Sequence, residues 1–234
     1  MSVIRNTALA GAFAATLAFG TAQAAPIITA VQVPPGTVPF TLQNLGTSGT
    51  AGLQTAFNTL PGTSGSIAMT GMTASWAGTN LAGVYAGSVS GVSRSPFQVG
   101  PGGAGPGNPP TPLQNYLTAQ PNDSITLVFG RPQAALNLLW GSVDAYNSVQ
   151  FVFTGGPTIT GAQVAAAAGS TGFGWANLAV TISNIGLFSE VSIVSTQRAF
   201  EFVPGVPVPE PASLALLGMG LLGLGFAARR RKAA

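Results

Sequence analysis

The chain has neither cysteine nor histidine. Disulfides are therefore excluded, although an exported protein can use them. Zinc and copper centres of the usual Cys/His kind are excluded too, as are Ser-His-Asp and Cys-His nucleophile systems. Charge is almost as scarce: Asp, Glu, Lys and Arg together make up 6% of the residues. Five basic residues, Arg5, Arg229, Arg230, Arg231 and Lys232, sit at the two ends. Between them Arg94, Arg131 and Arg198 stand against Asp123, Asp144, Glu190, Glu201 and Glu210, three against five, a net charge of −2. The formal +3 of the whole chain thus reports on its ends. Three scattered arginines form no stripe that tracks phosphates, so nucleic acid is excluded as a partner. No cofactor and no metal is implied.

What is present is concentrated at the ends. Ala212–Ala228 is an uncharged run, near the short limit of about 17 residues for crossing a bilayer as a helix. Pro211 precedes it, where the first turn of a helix needs no amide donor. Arg229, Arg230, Arg231 and Lys232 follow as a basic stop that stays in the cytoplasm. A buried core helix is the competing reading, but such a helix would show a polar face. At the other end, Arg5 precedes the small apolar stretch Ala8–Gly20, and Ala22-Gln23-Ala24 fits a small-x-small signal-peptidase site. Cleavage is predicted after Ala24, with Ala25 as the alternative. An uncut N-terminal anchor competes, though the stretch is short for a span. The chain then divides into a signal peptide (1–24), an exported body (25–205), a linker and motif (206–211), a transmembrane helix (212–228) and a basic tail (229–234). Export implies the general secretion machinery as a partner and the membrane as a transient anchor.

The C-terminal order is Val-Pro-Glu-Pro, then the Ala/Leu/Gly span, then the Arg-rich tail. It resembles the PEP-CTERM sorting signal of Gram-negative bacteria, and Pro209, Glu210 and Pro211 match that motif residue by residue. The resemblance implies a membrane transpeptidase-like partner, exosortase. That enzyme recognises the signal, cuts near the motif, and releases or re-attaches the protein at the cell surface or in the extracellular matrix. It also implies association with exopolysaccharide and biofilm. The processing chemistry would lie in the partner, not in this chain.

A body of roughly 180 residues is long enough for one domain with a real core. Its N-terminal stretch, 26–39, mixes prolines with β-branched residues and reads as an extended lead-in with at most one edge strand. Ala51–Leu60 is compatible with a short helix. The Gly/Pro-rich stretch near 100–112 is a loop by composition; it separates two domains or, as preferred here, forms a surface loop within one. Further on, Ser124–Phe129 and Ala135–Trp140 read as two strands. Val149, Phe151 and Phe153 alternate onto one face, as do Leu178, Val180 and Ile182. Val191 and Ile193 follow, then Phe200 and Phe202 flanking Glu201. A period of two buries one face and leaves the other polar, which points Glu201 to solvent. Many such strands without strong helices imply an all-β fold, an antiparallel β-sandwich with a jelly-roll-like topology.

Trp140-Gly141-Ser142-Val143-Asp144-Ala145-Tyr146-Asn147 and Ala199-Phe200-Glu201-Phe202 resemble segments shared by a family of exosortase-dependent surface proteins. That resemblance covers roughly residues 80–211 and implies location and fold class, not a reaction. In the first segment Asp144 and Asn147 have the oxygen donors for a sugar hydroxyl or a Ca²⁺, and Trp140 and Tyr146 have faces on which a pyranose can stack. The competing reading is structural: Asp and Asn cap turns, and Trp packs between sheets. A glycosidase needs two positioned carboxylates, and Asp123 and Glu201 read as a turn residue and a solvent-facing one. The expected function is a non-enzymatic, exosortase-processed surface or matrix protein with a structural or adhesive sandwich. The alternative is a carbohydrate-binding module using Trp140, Tyr146 and Asp144, which requires exposed, coplanar aromatics.

Overall fold

The computed structural model describes residues 25–33, 38–48, 52–53, 65–77, 82–89, 92–97, 113–141, 149–169, 177–197 and 199–207. Its strands are β1 (Ile27–Val33), β2 (Thr47–Ser48), β3 (Gly52–Leu53), β4 (Gly65–Met69), β5 (Met72–Ala77), β6 (Gly83–Ala86), β7 (Leu113–Ala119), β8 (Asp123–Gly141), β9 (Val149–Phe153), β10 (Thr158–Thr160), β11 (Asn177–Ser195) and β12 (Phe200–Pro204). One short helix, α1 (Gly161–Ala167), stands between β10 and β11. Every strand pair is antiparallel, so the all-β expectation holds.

Two 19-residue strands, β8 and β11, organise the fold. They pair with each other along both halves, with register shifts between Ser183 and Phe188 and between Phe188 and Glu190. Asn184 and Gly186 have φ of 58° and 79° at that point, a conformation that favours Asn and Gly. Pro132 falls in the gap of the β8 ladder, where no amide is needed. The neighbours then separate into two layers. One runs β1, the first half of β11, the second half of β8, β12, β7, β6 and β3. The other runs β10, β9, the second half of β11, the first half of β8, β5 and β4. The stretches Ser124–Phe129 and Ala135–Trp140 are therefore not two strands. They are one strand bent across both layers, because the ladder with β11 continues past the irregularity.

Between the layers lies the core. Phe151 of β9 meets Phe200 of β12 at 5.7 Å and Trp140 of β8 at 6.5 Å, edge to face, and Phe200 meets Trp140 at 5.0 Å. Ring pairs of this geometry add to what burial alone contributes. The alternation of Val149, Phe151 and Phe153 appears as buried positions separated by exposed Gln150 and Val152. At β12 the alternation fails, since all five residues are buried. Two segments cover its second face. Residues 41–46 bond to β12 and β7 through Gln43 N–H to Pro204 O (2.9 Å) and Asn115 N–H to Gly46 O (3.0 Å). The other cover is a strap, residues 87–89 and 92–97. Glu201, expected to face water, is only 2% exposed beneath it.

The lead-in is one edge strand, β1, on β11. Within Ala51–Leu60, Gly52–Leu53 pairs with β6 as strand rather than helix; the rest of that stretch lies outside the described residues. Helix α1 breaks the β pattern for a local reason. Thr160 caps it, its hydroxyl accepting from Gln163 N–H while the Gln163 side chain accepts from Thr160 N–H, a capping box. Among the described residues no helix is long and apolar enough to cross a membrane; the predicted span 212–228 lies outside them.

Candidate functional site

The densest set of buried polar groups lies where the strap crosses β12, β7 and the end of β8. Register puts Asn177, Gly141, Glu201, Thr118 and Gly83 side by side on the outward face of their layer. The strap settles onto this row. Glu201 Oε1 accepts from Arg94 N–H at 2.7 Å, Asn177 Nδ2 donates to Pro96 O at 2.6 Å, and Gln120 Nε2 donates to Val92 O at 3.1 Å. Gly141 is needed there: a Cβ would lie 2.6 Å from Pro96 Cγ and 3.0 Å from Pro96 Cα. Tyr116 is fully buried alongside. Its single proton goes to Gly87 O at 2.7 Å, so Ser93 Oγ at 2.9 Å is the donor to Tyr116 Oη.

These environments hold both tyrosines neutral. Burial, then the charge of Asp123, pushes the Tyr85 phenol up to about 12. Tyr116 is raised further by burial; the Ser93 hydrogen bond opposes this, and Glu201 and Tyr85 reinforce it. Asp123 is not an exposed turn residue but a buried strand residue whose Oδ2 accepts from Ala82 N–H at 3.1 Å. Glu190 accepts from Thr154 Oγ1 at 3.3 Å. Each described carboxylate thus fastens one segment to another. Among the described residues, no group of three or more metal-ligating side chains comes together.

A cleft of about 410 Å³ opens beside the strap, lined by residues 42–47, Phe97, Gln114 and Asn115. Among the described residues no charged side chain lines it. Asn115 Nδ2 donates to Leu45 O at 3.0 Å, and both ends of the Gln43 amide are engaged by Thr70. These amides brace the cleft wall rather than reach into it.

Trp140 has no part in a surface platform. It is 1% exposed, packed edge-to-face between Phe200 and Phe151, and its Nε1 has no hydrogen-bond partner among the described residues. Trp76 is 3% exposed. Stacking on a sugar needs an open ring face, and these indoles face the opposite layer. Asp144, Tyr146 and Asn147 lie outside the described residues, as do Ala22, Ala24, Pro209, Glu210, Pro211, Arg229, Arg230, Arg231 and Lys232. The strap residues that organise the cluster carry no motif; their ordinary Ser-Arg-Ser-Pro sequence acquires its role only from what lies beneath it.

After β12 the chain leaves the body by a short, pinned path. Gly205 N–H donates to Asn137 O and Val206 N–H to Thr41 O, both at 2.8 Å. Pro207 lies beside Gly71, where an added Cβ would come 3.5 Å from Pro207 Cγ. Residues 207–232 match the PEP-CTERM protein-sorting motif. The motif marks the chain as an exported surface protein processed by exosortase, anchored at the membrane before that step. The match does not extend to the body. No curated protein and no solved structure matches the chain.

Proposed function

We propose that the body is a non-catalytic structural or adhesive β-sandwich delivered by exosortase to the cell surface or matrix, where it associates with exopolysaccharide in biofilm. The observation that carries this reading is the use of the acids. Asp123, Glu190 and Glu201 each bond one segment to another, leaving no carboxylate pair set across a cleft among the described residues, as glycoside hydrolysis needs. The absence of His and Cys removes the commonest nucleophile–base systems. A sugar-binding alternative has lost Trp140 to the core and rests on Asp144, Tyr146 and Asn147.

The test compares a host carrying its exosortase with the same host lacking it, by intact-mass analysis of surface and membrane fractions. The expected mature species begins near Ala25, ends near Pro209–Pro211, and disappears on deletion. Binding of the mature species to the host's purified exopolysaccharide then tests the matrix role. Retention of the C-terminal span in both hosts would reduce the tail to a plain anchor and overturn the reading.

A further inference from the structure

The body and the sorting signal have almost no chain between them. Pro207 lies beside Gly71 of the fold, and Val208 alone separates it from Pro209. Three residues from Pro207 to Glu210 span at most about 10–11 Å. A specific protein–protein contact covers about 800 Å² on each partner, a disc of about 16 Å radius. An enzyme engaging Glu210 and Pro211 therefore has a footprint that runs past the motif and onto the body.

We propose that the face around the chain exit is a docking surface for the processing enzyme, contiguous with the sorting motif and read together with it. This rests on the reading that exosortase processes this chain. The exit face is rigidly built. Its centre is the β4–β5 turn, Thr70–Gly71, held by the paired bonds between the Gln43 amide and Thr70 (2.8 and 3.1 Å). Gly130 N–H of β8 donates to Gly71 O at 2.9 Å, so the turn beside Pro207 is fastened to the bend of β8. Thr70, Gly71, Gly130 and Arg131 are all exposed there. Among the described residues of this face Thr70, Gly71 and Gly130 are neutral and Arg131 carries charge, so Arg131 is a strong handle there for an acidic or carbonyl-rich rim. A short link gives the face and the motif a high effective concentration for one enzyme, and a flexible spacer lowers it.

The experiment uses the full chain in hosts with and without exosortase and follows conversion of precursor to the trimmed species over time. Flexible Gly/Ser inserts of increasing length are placed between Pro207 and Val208, outside the fold. A second variant is Arg131→Glu, made with and without the longest insert. Docking predicts that inserts slow exosortase-dependent conversion several-fold. It also predicts that Arg131→Glu slows the directly linked chain but not the chain with the long insert. Conversion that is unchanged or faster with inserts would overturn the proposal, because the body would then be an obstruction that must peel away. An Arg131→Glu change that leaves conversion of the directly linked chain at the wild-type rate would overturn it as well. Wild-type chain left unprocessed in both hosts would remove the sorting reading itself, and the docking surface with it.

Discussion

Replacing Tyr116 with Phe removes one oxygen and tests whether the strap is held by the buried network. Tyr116 Oη serves two partners: it donates to Gly87 O at 2.7 Å and accepts from Ser93 Oγ at 2.9 Å. The phenyl ring would keep its packing, because the site is closed on all sides. The variant therefore strands a carbonyl and a hydroxyl away from water. Each stranded group costs about 1–3 kcal/mol, so Tyr116→Phe should destabilise by about 2–6 kcal/mol. Ser93→Ala removes only the second bond and should cost about 1 kcal/mol. In the double variant only the Gly87 carbonyl is stranded, so the double should cost about 2–4 kcal/mol less than the sum of the two single changes. Urea unfolding of the exported body, with unchanged m-value, gives the four free energies. Amide exchange of residues 92–97 should accelerate in Tyr116→Phe before the core opens. A Tyr116→Phe effect within about 0.5 kcal/mol, the range of an ordinary surface change, would refute the network as what fastens the strap.

Three further outcomes follow from the same geometry. Tyr85 is pushed from 10.0 to about 12 in the folded chain. Its contribution is therefore complete below pH 10 and is lost as pH rises through about 12, on the order of 2 kcal/mol; alkaline titration of stability should be flatter in Tyr85→Phe. Glu201→Ala strands the Arg94 amide and should cost about 2 kcal/mol in urea unfolding, whereas a solvent-facing glutamate would give almost nothing. Phe200→Ala opens the ring cluster shared with Trp140, Phe151 and Phe202 and should cost about 3–5 kcal/mol in the same assay. That is a large part of a typical domain's 5–15 kcal/mol. Phe200→Leu should cost about half as much.

The strand content was legible because alternation is a local property, as in Val149–Phe153 and Leu178–Ile182. Helix α1 was missed: Thr160 and Gln163 stand at capping-box spacing, but a reading tuned to period two passes over seven residues. The candidate site was not legible. Trp140 looks the same in sequence whether it packs inward or presents its face to a ligand. Glu201 between two phenylalanines reads as an outward charge until the strap is seen to cover that face.

Sequence alone determined that this protein carries an export and sorting label, and the class of its fold. Both follow from short-range chemistry: a hydrophobic run with a basic stop partitions by its own composition, and a period-two pattern selects strands by its own geometry. Only the tertiary structure decided that two stretches of β8 are one bent strand, that Glu201 and Asp123 are buried fasteners, and that the fold runs up to Pro207, where the sorting-motif match begins. Those outcomes depend on which distant segment comes to rest on which face, and residues 41–46 and 92–97 reach β12 from more than a hundred positions away in the chain.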